Sequence, residues 1–174
     1  MRKENAVSIL WGECKDIFLS SSNQQLEDLL KNVLNIVRRY NAFFRKKADL
    51  EFLNYIIKMN ADEYIIGTNG DDFEILTKTY IRLEGISVEI IWQILSQLIW
   101  DLTVPVTNKI CPFCRCDNVV LLADKEKKHL YESCENCFGT AEDGIRIMRP
   151  DNLFPASKDM VEKHYYSFLN NGSI

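Results

Sequence analysis

Two cysteine pairs, Cys111-Pro-Phe-Cys114 and Cys134-Glu-Asn-Cys137, stand nineteen residues apart in a chain of 174 residues. Each C-x-x-C turn brings two sulfurs within bonding distance of one metal, and two such turns complete a tetrahedral four-thiolate set. A single pair would be ambiguous with redox chemistry. Two pairs at this spacing point to a metal held by Cys111, Cys114, Cys134 and Cys137, with zinc favoured over iron, a thioredoxin-like pair or disulfides. Four thiolates leave no position for water or substrate, so one Zn2+ here is expected to be structural. A module of this size has too little core to fold well alone, and a structural zinc supplies on the order of 10 kcal/mol.

The rest of the chain has the composition of a folded protein, with 47% apolar and 26% charged residues, four prolines and seven glycines. That suits a helical body plus a small appendage. The apolar run after the basic N-terminus, Ala6 to Trp11, is too short for a secretory signal. The expected compartment is therefore a reducing cytoplasm, where six cysteines favour thiolates over disulfides. The abundance of Ile and Asn suggests AT-rich coding, in a bacterium or a phage.

The fold class expected is α+β, with a mainly helical body over residues 1–103. Ser22 and Gln25 have capping-box spacing, and Leu26, Leu29, Leu30, Val33, Leu34 and Val37 follow at helical intervals, predicting a helix to about Arg45. A second helix starts at Asp49. A turn falls at Gly67-Thr68-Asn69-Gly70. Asp72 to Glu84 reads as a helix ended by Gly85, although its threonines and isoleucines also suit a strand. Ser87 to Leu102 is apolar around most of its girth, so it belongs in a core or, as the alternative, at an oligomer contact. It is too short, and too polar along one stripe, to span a bilayer. Pro105 marks the junction. Over 106–149 the pattern changes to short strands at Lys109-Ile110, Val119 to Ala123, His129 to Tyr131 and Gly144 to Met148. Residues 150–174 read as a connector and a helix capped by Ser157 and expected to pack back on the body.

Cys-Pro-x-Cys, a strand, a charged turn, a strand and a second C-x-x-C together resemble the zinc ribbon over about residues 110–148; the rest of the chain is not recognised. The resemblance implies a β-hairpin module with one zinc between two knuckles, and it carries Cys111, Cys114, Cys134 and Cys137 over as the ligands. Zinc ribbons often have glycine just after a knuckle. Here Arg115-Cys116 follows the first knuckle, and Gly139 comes two residues after Cys137. Cys116 is thus a possible substitute ligand, against the plainer reading of a small apolar side chain beside the site. His129 reads as an exposed strand residue and Cys14 as buried packing.

A catalytic set is missing. There are two histidines in the chain, no H-E-x-x-H, no deaminase pattern, no phosphate loop and no G-x-S-x-G. The chain is therefore expected not to be an enzyme. Charge bears on nucleic acid: residues 111–148 carry five Lys/Arg against seven Asp/Glu, and a four-thiolate zinc adds about −2. Phosphate binding needs a cationic surface, so nucleic acid is disfavoured. The basic stretch Arg38, Arg39, Arg45, Lys46 and Lys47 carries that alternative, against the reading of a solvated helix end. The leading expectation is non-catalytic recognition of a protein partner by a zinc-binding protein. Its narrow form is an immunity or antitoxin-like protein that neutralises a basic nuclease toxin through the acidic stretch Asp62 to Glu89, with no membrane partner.

Overall fold

A computed structural model describes residues 3–20, 26–66 and 78–170, with side chains for 6–20, 26–66 and 78–164. The expected capping box at Ser22 and Gln25, the turn at 67–70, the acidic residues Asp71, Asp72 and Glu74, and the first half of the segment 72–84 lie outside the described residues. Among those described, the chain is α+β: a helical N-terminal part, an antiparallel sheet and a C-terminal helix. Contacts divide it into two compact units, one holding residues 3–61 and 78–102, the other 62–66 and 103–170.

The first unit is built from helices that each bury one stripe. Helix α1 (Lys3–Ser20) buries Leu10, Trp11, Cys14 and Phe18, at intervals that return to one face every turn. Helix α2 (Leu26–Arg39) buries Leu29, Leu30, Val33, Leu34, Ile36 and Val37. It stops short of Arg45: the chain turns at Tyr40, and a separate single turn, α3 (Asn41–Phe44), sets Phe44 into the core. Helix α4 (Leu50–Lys58) begins where Asp49 predicts it. The Asp49 carboxylate accepts from the N–H groups of Glu51 and Phe52 at 2.8 and 2.9 Å, which satisfies two of the donors a helix start leaves over. A 3₁₀ turn follows at Ala61–Glu63. Residues 78–81 are helical and Gly85 has φ +62°, a conformation that glycine adopts without strain. Helix α5 (Val88–Thr103) is the most apolar, and Ile91, Leu95, Ile99 and Leu102 along it are fully buried. Its Trp92 lies 5.4 Å from Phe44 and 6.4 Å from Phe52, and Trp100 lies 6.2 Å from Phe52, ring centre to ring centre. These aromatic contacts tie α3 and α4 to α5.

The second unit is an antiparallel sheet of β1 (Val106–Ile110), β2 (Asn118–Ala123), β3 (Leu130–Ser133), β4 (Thr140–Glu142), β5 (Ile145–Ile147) and β6 (Phe154–Pro155). The strands run β1-β2-β3-β4-β5 across the sheet, and β6 also pairs with β2. β2 is therefore central, and its residues Val119 to Ala123 are all buried, as expected of a strand covered on both faces. β4 and the two-residue β6 fall in stretches where the sequence pattern predicts no strand. β6 is too short to display an alternation, and Thr140-Ala141-Glu142 of β4 offers no large apolar side chains to mark a face. Helix α6 (Lys158–Asn170) starts at Ser157, whose carbonyl accepts from the Met160 and Val161 N–H groups. The contacts described for α6 run to β3, and Val161 joins a small cluster with Leu121, Ala123 and Ala156. Residues 62–66 belong with this unit too: Ile65 packs on that cluster, and Glu63 pairs with Lys127 at 2.8 Å.

Candidate metal centre

The first cysteine turn joins β1 to β2 and the second joins β3 to β4. β2 and β3 pair in the register Val120 with Ser133, so the two turns emerge side by side at one end of the sheet. The charged turn between β2 and β3 holds that register: Lys127 N–H donates to the Asp124 carbonyl and Lys128 N–H to the Asp124 carboxylate. The four sulfurs of Cys111, Cys114, Cys134 and Cys137 consequently lie within 4.8 Å of one another, a group that could hold a metal ion.

The two turns are built alike. Arg115 N–H donates to the Cys111 carbonyl at 3.0 Å, and Phe138 N–H to the Cys134 carbonyl at 2.9 Å. The N–H two residues beyond each turn points at a sulfur: Cys116 N–H at Cys114 Sγ (3.5 Å) and Gly139 N–H at Cys137 Sγ (3.4 Å). Arg115 and Phe138 occupy equivalent places and both are left-handed, with φ of 59° and 56°. These are the positions where glycine would be strain-free, and a side chain there costs about 1–2 kcal/mol. The closure of the knuckle over its sulfurs sustains that strain.

The donor set passes a geometric test. A tetrahedral ion with metal–sulfur bonds of about 2.3 Å places its ligands about 3.8 Å apart. The sulfurs of Cys111 and Cys137 are 3.6 Å apart, and those of Cys114 and Cys134 are 3.7 Å apart. Both pairs are far too long for a disulfide, and all four cysteines are free.

Electrostatics argues the same way. Burial opposes ionisation of Cys111, but the N–H groups of Cys114 and Phe113 outweigh it and hold the thiol down at about 6. Burial and the neighbouring Cys114 sulfur push Cys134 up. Against the pull of the Gly139 N–H, burial and the surrounding sulfurs push Cys137 up to about 12. One thiolate forms readily and the last resists, because like charges crowd a small volume. A cation at the centre removes that opposition, so metal binding and loss of the thiol protons are linked.

Packing covers one side of the centre, while Cys114 is half-buried and Cys137 is exposed. Cys111 and Cys134 are buried with Val119, and Phe113 packs against them. The Arg146 guanidinium lies over the Phe113 ring at 4.7 Å, and that of Arg149 over the Phe138 ring at 5.4 Å. Gly139 has a steric role: a Cβ there would sit 2.2 Å from Phe113 Cδ2. The two arginines carry no motif of their own, and only the β4–β5 pairing brings them across to the knuckles.

Cys116 is exposed and lies outside the four-sulfur group; its thiol donates to the Cys114 carbonyl at 3.1 Å. Cys14 is buried in the first unit, where burial, reinforced by Glu13, pushes its thiol up to about 12 and makes it inert. His129 is exposed on the sheet, its Nδ1 2.8 Å from a Glu142 oxygen. His164 approaches Glu132 at 3.8 Å, on a carboxylate that also binds Lys109.

Several charged residues of the candidate binding stretches are paired within their own unit. Arg38 is used inside the first unit, where its guanidinium donates to the Ile57 and Met59 carbonyls at the end of α4. Arg39 pairs with Glu13, and Lys47 with Glu89. Among the described residues of the acidic stretch, Glu63 and Glu89 are each paired with a lysine. No helix among the described residues is long and apolar enough to cross a membrane. No protein-family model, curated protein or solved structure matches the chain.

Proposed function

We propose that the second unit is a zinc ribbon and that the chain is a non-catalytic, zinc-binding protein that recognises a protein partner. The observation that carries the reading is the convergence of four sulfurs from two like-built turns on a single centre. Four thiolates saturate a tetrahedral ion, leaving neither an open coordination position nor a metal-bound water to do chemistry. Zinc is the ion chosen because it takes four thiolates without redox or ligand-field demands. Its work is to hold the knuckle end of the sheet rigid.

Recognition of a protein is supported by what the rigid unit exposes. Large apolar side chains stand out on it at Val106, Ile110, Phe138, Ile145 and Met148, with Phe138 65% exposed. Exposed aromatic and methionine side chains next to arginines are the composition of protein interfaces. The narrow form of the reading is an immunity or antitoxin-like role against a basic nuclease, supported by the net charge of −4 alone. The nucleic-acid alternative is weakened, because Arg38, Arg39 and Lys47 are occupied within the first unit.

The test is native mass spectrometry on the protein purified from its own host. The expected result is a mass one zinc heavier, with a stoichiometric second protein. Iron in its place, or co-purifying nucleic acid without protein, would sink the reading. Cys134→Ser should lose metal and partner together, whereas Cys116→Ser should keep both.

A further inference from the structure

We propose that the four-sulfur centre is also an oxidation-sensitive switch: a peroxide expels the metal and leaves disulfides across the two turns, Cys111 to Cys137 and Cys114 to Cys134. The inference rests on the zinc reading of this centre and adds the chemistry that releases the ion.

The geometry selects the pairing. The sulfurs of Cys111 and Cys137 lie 3.6 Å apart, and those of Cys114 and Cys134 lie 3.7 Å apart. A disulfide of about 2.05 Å needs each of these sulfurs to move only about 0.8 Å toward its partner. Both contacts join the turn between β1 and β2 to the turn between β3 and β4. Bonds within each turn would leave the two turns unconnected once the ion has gone, whereas bonds across them keep this end of the sheet stapled.

Access selects where oxidation begins. Cys137 is exposed and Cys114 half-buried, while Cys111 and Cys134 are fully buried. Each cross-turn pair therefore joins a sulfur that solvent reaches to one that it does not. The accessible member meets the oxidant, and the shielded member survives as the thiolate that resolves it.

Hydrogen peroxide oxidises the Cys137 thiolate to a sulfenic acid as its O–O bond breaks and one hydroxide leaves. The Cys111 thiolate then attacks that sulfur, the S–S bond forms and a second hydroxide leaves. Two thiolates have lost two electrons and one peroxide has gained them. The ion is left with two of its four ligands, and a second peroxide removes these in the same way at Cys114 and Cys134.

The test is titration of the zinc-loaded protein with hydrogen peroxide, reading released zinc and the unreduced tryptic peptides after free thiols are blocked. Trypsin cuts after Lys109, Arg115, Lys128 and Arg146, which puts Cys111 and Cys114 on one peptide, Cys134 and Cys137 on another, and Cys116 on a third. About two peroxides per chain should release the single zinc. Residues 110–115 and 129–146 should then run as one linked species, and further cuts after Phe113 and Glu135 should assign Cys111 to Cys137. Cys116→Ser should give the same result. Peptides that stay separate overturn the proposal, and so does a Cys116→Ser protein that no longer links them. Zinc that stays bound while peroxide is consumed overturns the switch and leaves the metal reading standing. An untreated protein without metal refutes the metal reading, and the switch with it.

Discussion

The two units of this chain differ in what lines their buried regions, apolar side chains in the first and, at one end of the second, sulfur. The helical unit buries side chains: Leu10, Phe44, Leu53, Ile56, Leu95 and Ile99 are all fully covered, and rings at Phe44, Phe52, Trp92 and Trp100 lie in contact. Each such side chain contributes roughly 1.5–3 kcal/mol of transfer free energy. The sheet unit buries Leu121, Leu122 and Phe154 around β2, but at its knuckle end two of the three buried members of the cluster are Cys111 and Cys134. At that end, where apolar surface is scarce, a bound metal would supply what the core does not. That difference has a consequence for robustness. The helical unit should weaken gradually as contacts are removed, while on the proposed zinc reading the knuckle end of the sheet unit should fail in a single step.

Removing the metal should break the comparison most sharply. If the proposed zinc is bound, a chelator at neutral pH should withdraw on the order of 10 kcal/mol from the sheet unit and none from the helices. Hydrogen exchange should show amides of residues 106–147 losing protection while those of α2 and α5 keep theirs. Equal loss in both units would mean that the metal stabilises the whole chain.

The reverse perturbation is Leu95→Ala. It empties a fully buried position in α5 and should lower the stability of the helical unit by about 2–5 kcal/mol. Chemical denaturation followed by tryptophan fluorescence reports on that unit, since Trp11, Trp92 and Trp100 all lie within it. Metal content measured on the same sample should stay at the wild-type value.

A finer test lies inside the sheet unit. Gly139→Ala drives a methyl group into Phe113, and the displacement should cost about 1–3 kcal/mol. Because Gly139 N–H also faces Cys137 Sγ, the effect should appear as weaker metal retention against a competing chelator. Thermal melting of the helices should not move.

Much of both units was legible in the chain. The helical period of residues 88–102, the cap at Asp49 and the alternating signals around the cysteine turns depend on neighbours a few residues away. A linear pattern records such local relations directly. The grouping of Cys111, Cys114, Cys134 and Cys137 was legible for the same reason, since a C-x-x-C turn carries its own geometry. The break at Tyr40 was not, because Arg38 and its tie to the Ile57 and Met59 carbonyls only exist once α4 has folded against α2. Strand β6 was hidden because two residues have no period, and β4 because Thr140-Ala141-Glu142, unlike Ile145 and Ile147 of β5, offers no large apolar side chains to mark a face.

Residue chemistry and short-range spacing thus determined the α+β class, the helical faces and the four-sulfur set, all of which follow from side chains close together along the chain. Tertiary structure alone decided which cations are occupied, where Arg146 and Arg149 lie, why position 139 has no side chain, and that residues 62–66 belong with the sheet. The physical reason is common to all four. Each rests on contacts between residues far apart in sequence, whose energies appear only after the elements have packed.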